Sequence, residues 1–269
     1  IMSVDLEDYF CDLPIQEWSK FQSRIENTTD VILELFNQYD VKSTFFTVGY
    51  FADKFPKLIK KIFDAGHELG THTYSHVDIR KLNPQEFEKD LVRSIKSIEK
   101  ITGEKVLGFR APLFSVNQNN PWVFDILKKY LKYDSSVLPT KTPLYGINGA
   151  PREIYHPSSI DFTKNDDNES FIEIPPTTYR IAKYNLPTCG GFYIRSLPYF
   201  LIQKGIDQSN KNKNPAMIYI HPKDLDKNMP KISQYSWHYY YGKHNIKKKF
   251  EKLLQKNRFS SAKEVLLLS

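Results

Sequence analysis

The chain has 269 residues, 40% of them hydrophobic and 26% charged, an ordinary globular composition with enough material for one large domain. No run of about 18 apolar residues occurs, so no transmembrane helix is expected, and the opening residues carry no leader pattern, which favours a cytoplasmic location. The formal charge of +7 comes mostly from lysines in polar stretches such as Lys247-Lys248-Lys249, without a nucleic-acid motif, and two cysteines are too few for a disulfide framework.

Taken in chain order, apolar runs of β-forming residues alternate with segments of helical period, the pattern of an α/β protein. Strands are expected at Ile1–Leu6, Ser43–Val48, His67–Gly70, Val106–Arg110, Tyr133–Val137, Phe171–Ile174 and Ala216–Ile220. Between them, Phe55, Leu58, Ile59 and Ile62 form a helical stripe stopped by Gly66. Asn83, Pro84 and Glu86 give a capped helix start, followed by the stripe Phe87, Leu91, Ile95 and Ile98 and a stop at Gly103. Asn120 and Pro121 repeat the start signal ahead of Trp122, Ile126 and Tyr130. Residues 138–170 and 225–244 break this rhythm and are expected as irregular insertions in a single domain spanning 1–269. Seven strands over this length fit a distorted (β/α)7-type barrel, closed or nearly so, with chemistry collected at the C-terminal strand ends.

Chemically able residues fall at those ends. Asp5 and Glu7 close the first strand, His72 follows the third, Arg110 ends the fourth and His221 follows the last. His72 and His76 lie four residues apart, a spacing that puts both imidazoles on one side of a helical turn, facing one metal ion. The carboxylates Asp5, Glu7 and Asp8 offer a third ligand, and two histidines plus one carboxylate leave coordination positions open.

Several motifs in fixed order resemble the polysaccharide deacetylases of carbohydrate esterase family four, the NodB-homology group. They are Ser43-Thr-Phe-Phe46, Gly66-His-Glu-Leu-Gly-Thr-His-Thr-Tyr-Ser-His76, Arg110-Ala-Pro112 and Ile218-Tyr-Ile-His221-Pro222. Asp5-Leu-Glu-Asp-Tyr-Phe10, Phe109-Arg-Ala-Pro112, Tyr133-Asp-Ser-Ser136 and Gly190-Gly191 are similar to the subgroup associated with exopolysaccharide-export clusters.

This resemblance implies a NodB-like fold and metal-dependent removal of an N-acetyl group from an amino sugar, with zinc as the expected divalent ion and an N-acetylated saccharide as partner. It implies Asp5 as general base, Arg110 as the charge that orients it, and His221 as general acid. His72 and His76 are the implied metal ligands, with Glu7 or Asp8 as the carboxylate. Family members commonly carry two adjacent aspartates here, and this chain departs from that pattern. Strand alternation puts Glu7 on the face of Asp5, whereas Asp8 requires a bulge to turn inward.

Pro112, Ile218, Ile220 and Trp237 are the expected substrate contacts, the isoleucines lining an acetyl pocket or belonging to ordinary core, and Trp237 stacking on a sugar ring or covering the barrel's open end. His67 is expected to support the site by hydrogen bonding, and Asp134 to position substrate or Arg110. Two other readings share the barrel: an allantoinase- or imidase-like amidohydrolase, and a carbohydrate-binding pseudoenzyme.

Overall fold

All seven expected strand segments supply a strand, though most are shorter than their apolar runs. The computed structural model describes residues 1–142 and 145–268. Residues 143 and 144 of the expected insertion, and residue 269 of the expected domain, lie outside the described residues. The strands are β1 (Met2–Leu6), β2 (Thr44–Thr47), β3 (Glu68–Thr71), β4 (Gly108–Phe109), β5 (Tyr133–Asp134), β6 (Ile172–Glu173), β7 (Thr178–Ile181), β8 (Tyr184–Pro187) and β9 (Ile218–Ile220). The helices are α1 (Ile25–Gln38), α2 (Gly49–Lys54), α3 (Pro56–Asp64), α4 (Pro84–Thr102), α5 (Trp122–Tyr130), α6 (Gly191–Ser196), α7 (Tyr199–Lys211), α8 (Pro222–Leu225), α9 (Ile246–Lys256) and α10 (Ala262–Val265). No helix among the described residues is long and apolar enough to cross a membrane.

Seven strands form one parallel sheet in the order β6-β5-β4-β3-β2-β1-β9, and β7 and β8 make a separate antiparallel hairpin that the sequence reading did not foresee. The sheet is curled rather than closed. No β6–β9 ladder is formed among the described residues, and the gap is crossed by Thr177, whose N–H donates to Met217 O at 3.0 Å.

Alternation along β1 divides two environments. Val4 and Leu6 pack in the layer between sheet and helices, with Phe45, Ile59 and Leu91, while Ser3 and Asp5 point into the curl beside Arg110. Phe46, Tyr133 and Met217 fill the base of the curl, which α10 closes from below as Ala262 N donates to Thr44 Oγ1 at 2.8 Å.

Register aligns the upper rim. Leu6 pairs with Thr47, Thr47 with Thr71, Thr71 with Phe109, and Phe109 with Asp134. The residues that follow β1, β3, β4 and β5 are therefore Glu7, His72, Arg110 and Ser135, all emerging at one level, with Val48 after β2. On the other side of β1, Val4 pairs with Ile220, which brings His221 level with Asp5.

The helix signals were specific where capping chemistry was present. Asn83 and Glu86 form a reciprocal capping box at α4, and Gly103 ends it at φ 74°. Residues 138–170 hold no named helix or strand among the described positions, yet Phe162 stacks on Phe124 of α5 at 4.8 Å.

Candidate functional site

Glu7, His72 and His76 meet at the rim. One ligand atom from each lies within 4.8 Å of the others, and all three side chains are buried. The two histidines do not share a helical turn, as their spacing suggested. β3 ends at Thr71, and the chain folds back through left-handed residues, Thr73 at φ 61° and His76 at φ 51°. This loop brings the rings to 5.1 Å between centroids.

Backbone carbonyls fix both rings. His72 Nδ1 lies 2.7 Å from Arg110 O and His76 Nδ1 lies 3.1 Å from Cys11 O. A carbonyl only accepts, so each Nδ1 carries the proton and each Nε2 is left as the free donor atom. Glu7 Oε2 sits against His76 Nε2, and it is a buried oxygen without a well-formed hydrogen bond. A buried carboxylate oxygen and two oriented imidazole nitrogens fit a divalent cation.

The charges around this triad are matched. Burial opposes ionisation of Glu7, but Lys223, His76 and His221 outweigh it and hold its carboxyl well below the usual range. Lys223 Nζ stands 2.6 Å from Glu7 Oε1. Burial lowers His72 to about 4, so that ring is neutral at physiological pH, as a ligand must be.

Asp5 and His221 stand together beside the triad, on the β1 and β9 side. Arg110, fully buried, donates through Nη1 to Asp5 Oδ1 and to Ser3 Oγ, each at 2.8 Å. Its other donors are taken by Ser135: Nε reaches the carbonyl at 3.0 Å and Nη2 the hydroxyl at 2.8 Å. His221 Nε2 is 3.7 Å from Asp5 Oδ2 and 3.5 Å from Glu7 Oε1. Its Nδ1 contacts Asp224 Oδ2 at 2.8 Å, and Asp224 is paired in turn with Arg195 Nε at 3.1 Å. Burial works against a charged His221, yet Asp224 and Glu7 together raise its pKa.

Gly190 and Gly191 are explained by this same layer. A Cβ at Gly190 would lie 2.2 Å from the Tyr219 ring, and one at Gly191 would lie 1.7 Å from Asp224 Oδ2. Gly190 also has φ +84°.

Several expected site residues lie elsewhere. Asp8 is buried but faces away from the triad, accepting from Ser23 Oγ at 2.6 Å and from the N–H groups of Arg24 and Tyr9. Three donors already satisfy it, so it organises the turn into α1. Ile218 and Ile220 are fully buried in the core between sheet and helices, because they pair with Met2 and Val4 and share their face. The residue between them, Tyr219, points inward instead and stands 5.0 Å from the Arg110 guanidinium. His67 belongs to the opposite end of β3, where Ser43 N–H donates to its Nδ1 at 3.2 Å, and so it cannot support the rim.

Pro112 is buried in a 3-10 turn after β4, while its neighbour Leu113, at φ 56°, is exposed. Trp237 is 68% exposed, in the loop that Tyr239 ties to the site through a 2.6 Å hydrogen bond to Asp12. Sequence reasoning missed Lys223, Asp12, Asp224, Arg195 and Tyr219. For Asp224 a signal existed, an acid three residues after His221 ahead of a short helix; a lone lysine or arginine reads as solvated surface.

Residues 17–130 match the family model described as polysaccharide deacetylase, and residues 135–267 match a domain of unknown function, DUF3473. A peptidoglycan-N-acetylglucosamine deacetylase of Bacillus cereus is 34% identical over 91 residues, which is 34% of this chain and 33% of the relative. The chain thus spans between a third and two fifths of the first curated relatives' length, 33% and 39% for two of them.

A Mycobacterium smegmatis crystal structure described as that of a polysaccharide deacetylase superposes with a TM-score of 0.60 at 17% identity, covering 100% of this chain and 90% of that one. The PuuE allantoinase superposes at 0.58 with 16% identity, over 88% of this chain and 70% of that one. At such identities the likeness concerns the fold. His72, His76 and Arg110 fall within the matched family segment; Asp5, Glu7 and His221 lie outside it.

Proposed function

We propose, from the match of residues 17–130 to the polysaccharide deacetylase family model, that this chain hydrolyses the N-acetyl amide of an amino sugar in a polysaccharide or glycan precursor, releasing acetate and a free amine. The observation that carries this reading is the meeting of Glu7, His72 and His76 within 4.8 Å, with Asp5 and His221 together beside them. The subgroup motifs support a substrate in exopolysaccharide synthesis.

Glu7 Oε2 and the Nε2 atoms of His72 and His76 would hold the metal, zinc by preference. When bound, a divalent cation supplies polarisation of the amide carbonyl and a lowered pKa for an attacking water. Asp5 takes the proton of that water, kept ionised and aimed by Arg110 at 2.8 Å. His221, charged through its contact with Asp224, gives a proton to the departing amine nitrogen. The buried walls of Tyr219, Phe46 and Arg110 exclude other water from the base. Leu113 and Trp237 are the exposed apolar groups offered to the saccharide.

Acetate release from N-acetylated oligosaccharides, with allantoin as the competing substrate, tests the reading. Acetate from the saccharide alone supports it. Ring opening of allantoin without acetate release favours the amidohydrolase alternative, and saccharide binding without turnover favours the pseudoenzyme.

Two further outcomes follow for individual residues. Glu7→Gln is expected to weaken zinc binding by at least about tenfold, whereas Asp8→Asn leaves it within about twofold, read by chelator competition. Trp237→Ala is expected to raise KM for a long saccharide by roughly 2- to 10-fold at unchanged kcat, the size of one aromatic contact.

A further inference from the structure

Behind Arg110, on the side away from the metal ligands, two carboxyl groups face each other across the parallel ladder. Asp134 of β5 pairs in register with Glu173 of β6, both side chains are fully buried, and one oxygen of each is left without a hydrogen-bond partner. Carboxylate oxygens only accept, so two such oxygens side by side can satisfy each other only with a proton between them.

The remaining contacts say where it sits. Ser136 Oγ donates to Asp134 Oδ1 at 2.5 Å, and Val137 N–H donates to Glu173 Oε1 at 2.9 Å. Asp134 Oδ2 and Glu173 Oε2 are the buried oxygens left without a partner among the described residues. Among the described residues no cation is hydrogen-bonded to the pair, although the nearby Arg110 charge favours ionisation of both carboxyls. Arg110 from β4 spends its donors on Asp5, Ser3 and Ser135, and Tyr155, bridged to Glu173 from the other side, gives its hydroxyl to Phe162 O.

We infer that Asp134 and Glu173 share one proton, and that this acid pair is a positioning device for Arg110. The pair fixes the chain on both sides of Ser135: Asp134 holds Ser136, which also accepts from Ala111 N–H at 2.8 Å, and Glu173 holds Val137. Ser135 between them supplies both the carbonyl and the hydroxyl that Arg110 uses, and its hydroxyl donates onward to Ile174 O at 2.7 Å. The aim of Arg110 at Asp5 is therefore set by a proton two shells away. This role rests on the reading of Asp5 as the base; the shared proton itself does not.

The pair also gives the fold a pH signature. Burial raises Asp134 to about 6 and Glu173 well above the carboxylate range, so the native state keeps a proton that the unfolded chain has released. Stability from this source is complete below the ordinary carboxylate pKa and is lost as pH rises through the folded values.

Glu173→Gln preserves both hydrogen bonds without the shared proton, since its amide donates to Asp134 and its carbonyl accepts from Val137. The native-minus-variant infrared spectrum at pH 7 is expected to contain the carbonyl stretch of a protonated carboxylic acid, and the melting temperature of Glu173→Gln should gain on the native protein between pH 5 and 8. Glu173→Ala should lower kcat tenfold or more with KM little changed, and make the Arg110 Nε–H exchange rapidly by NMR, while Glu173→Gln restores both. Absence of the infrared band, or a protected Arg110 Nε–H in Glu173→Ala, overturns the inference. Neither readout needs a substrate, so failure to find acetate release would count against the proposed function alone.

Discussion

Asp5→Asn is expected to lower acetate release by about 10²–10⁴-fold, the range for loss of a general base, while leaving metal affinity essentially intact. The physical basis is a division of labour among adjacent carboxylates. Glu7 offers a buried oxygen toward His76 and is separately held by Lys223, whereas Asp5 is bound to Arg110 through Oδ1 and turns Oδ2 toward His221. Asparagine keeps the acceptor for Arg110 and removes the basic oxygen. Zinc titration of the variant beside its acetate rate separates the roles. A variant that turns over normally removes Asp5 as base, and one that no longer binds zinc makes it a ligand.

Arg110→Met is expected to cost about 3–5 kcal/mol of stability, the usual penalty for breaking a buried ion pair and leaving one charge unpaired. For a chain of this size that is a fall in melting temperature on the order of 10 °C. Arg110 is fully buried and supports Ser3, Asp5 and both polar atoms of Ser135. Lysine should not rescue it, because a single ammonium cannot reproduce the planar fork that spans Asp5 and Ser135. Thermal melts of Arg110→Met and Arg110→Lys check this. A loss below about 1 kcal/mol would mean that Asp5 is held by something else.

Strand placement was legible because period and burial coincide: Val4 and Leu6 alternate with Ser3 and Asp5, and the first, third, fourth and last strands lead into chemically able residues. The register then aligns Glu7, His72 and Arg110 with no further information. What could not be read depends on loop backbone. The spacing of His72 and His76 suggested a helical turn, whereas left-handed Thr73 and His76 produce the same proximity by another route.

For Ile218 and Ile220 the sequence left an acetyl pocket and ordinary core both open; pairing with Met2 and Val4 commits them to the helix layer and leaves Tyr219 facing Arg110. Lys223, Asp12 and Arg195 were invisible for a different reason. A charged residue next to a motif has the statistics of solvated surface, and only folding shows Arg195 buried between Asp224 and the carbonyls of His238, Tyr239 and Tyr241. The hairpin of β7 and β8 was missed because its strands are half exposed and carry no apolar run.

The most direct test is to strip the protein with a chelator and follow acetate release from an N-acetylated oligosaccharide as zinc is returned. The rate should be negligible in the stripped protein and should recover to a plateau at one zinc per chain, with no recovery in His72→Ala or His76→Ala. A stripped protein that still releases acetate at the full rate, or a recovery that survives loss of both histidines, would contradict the account.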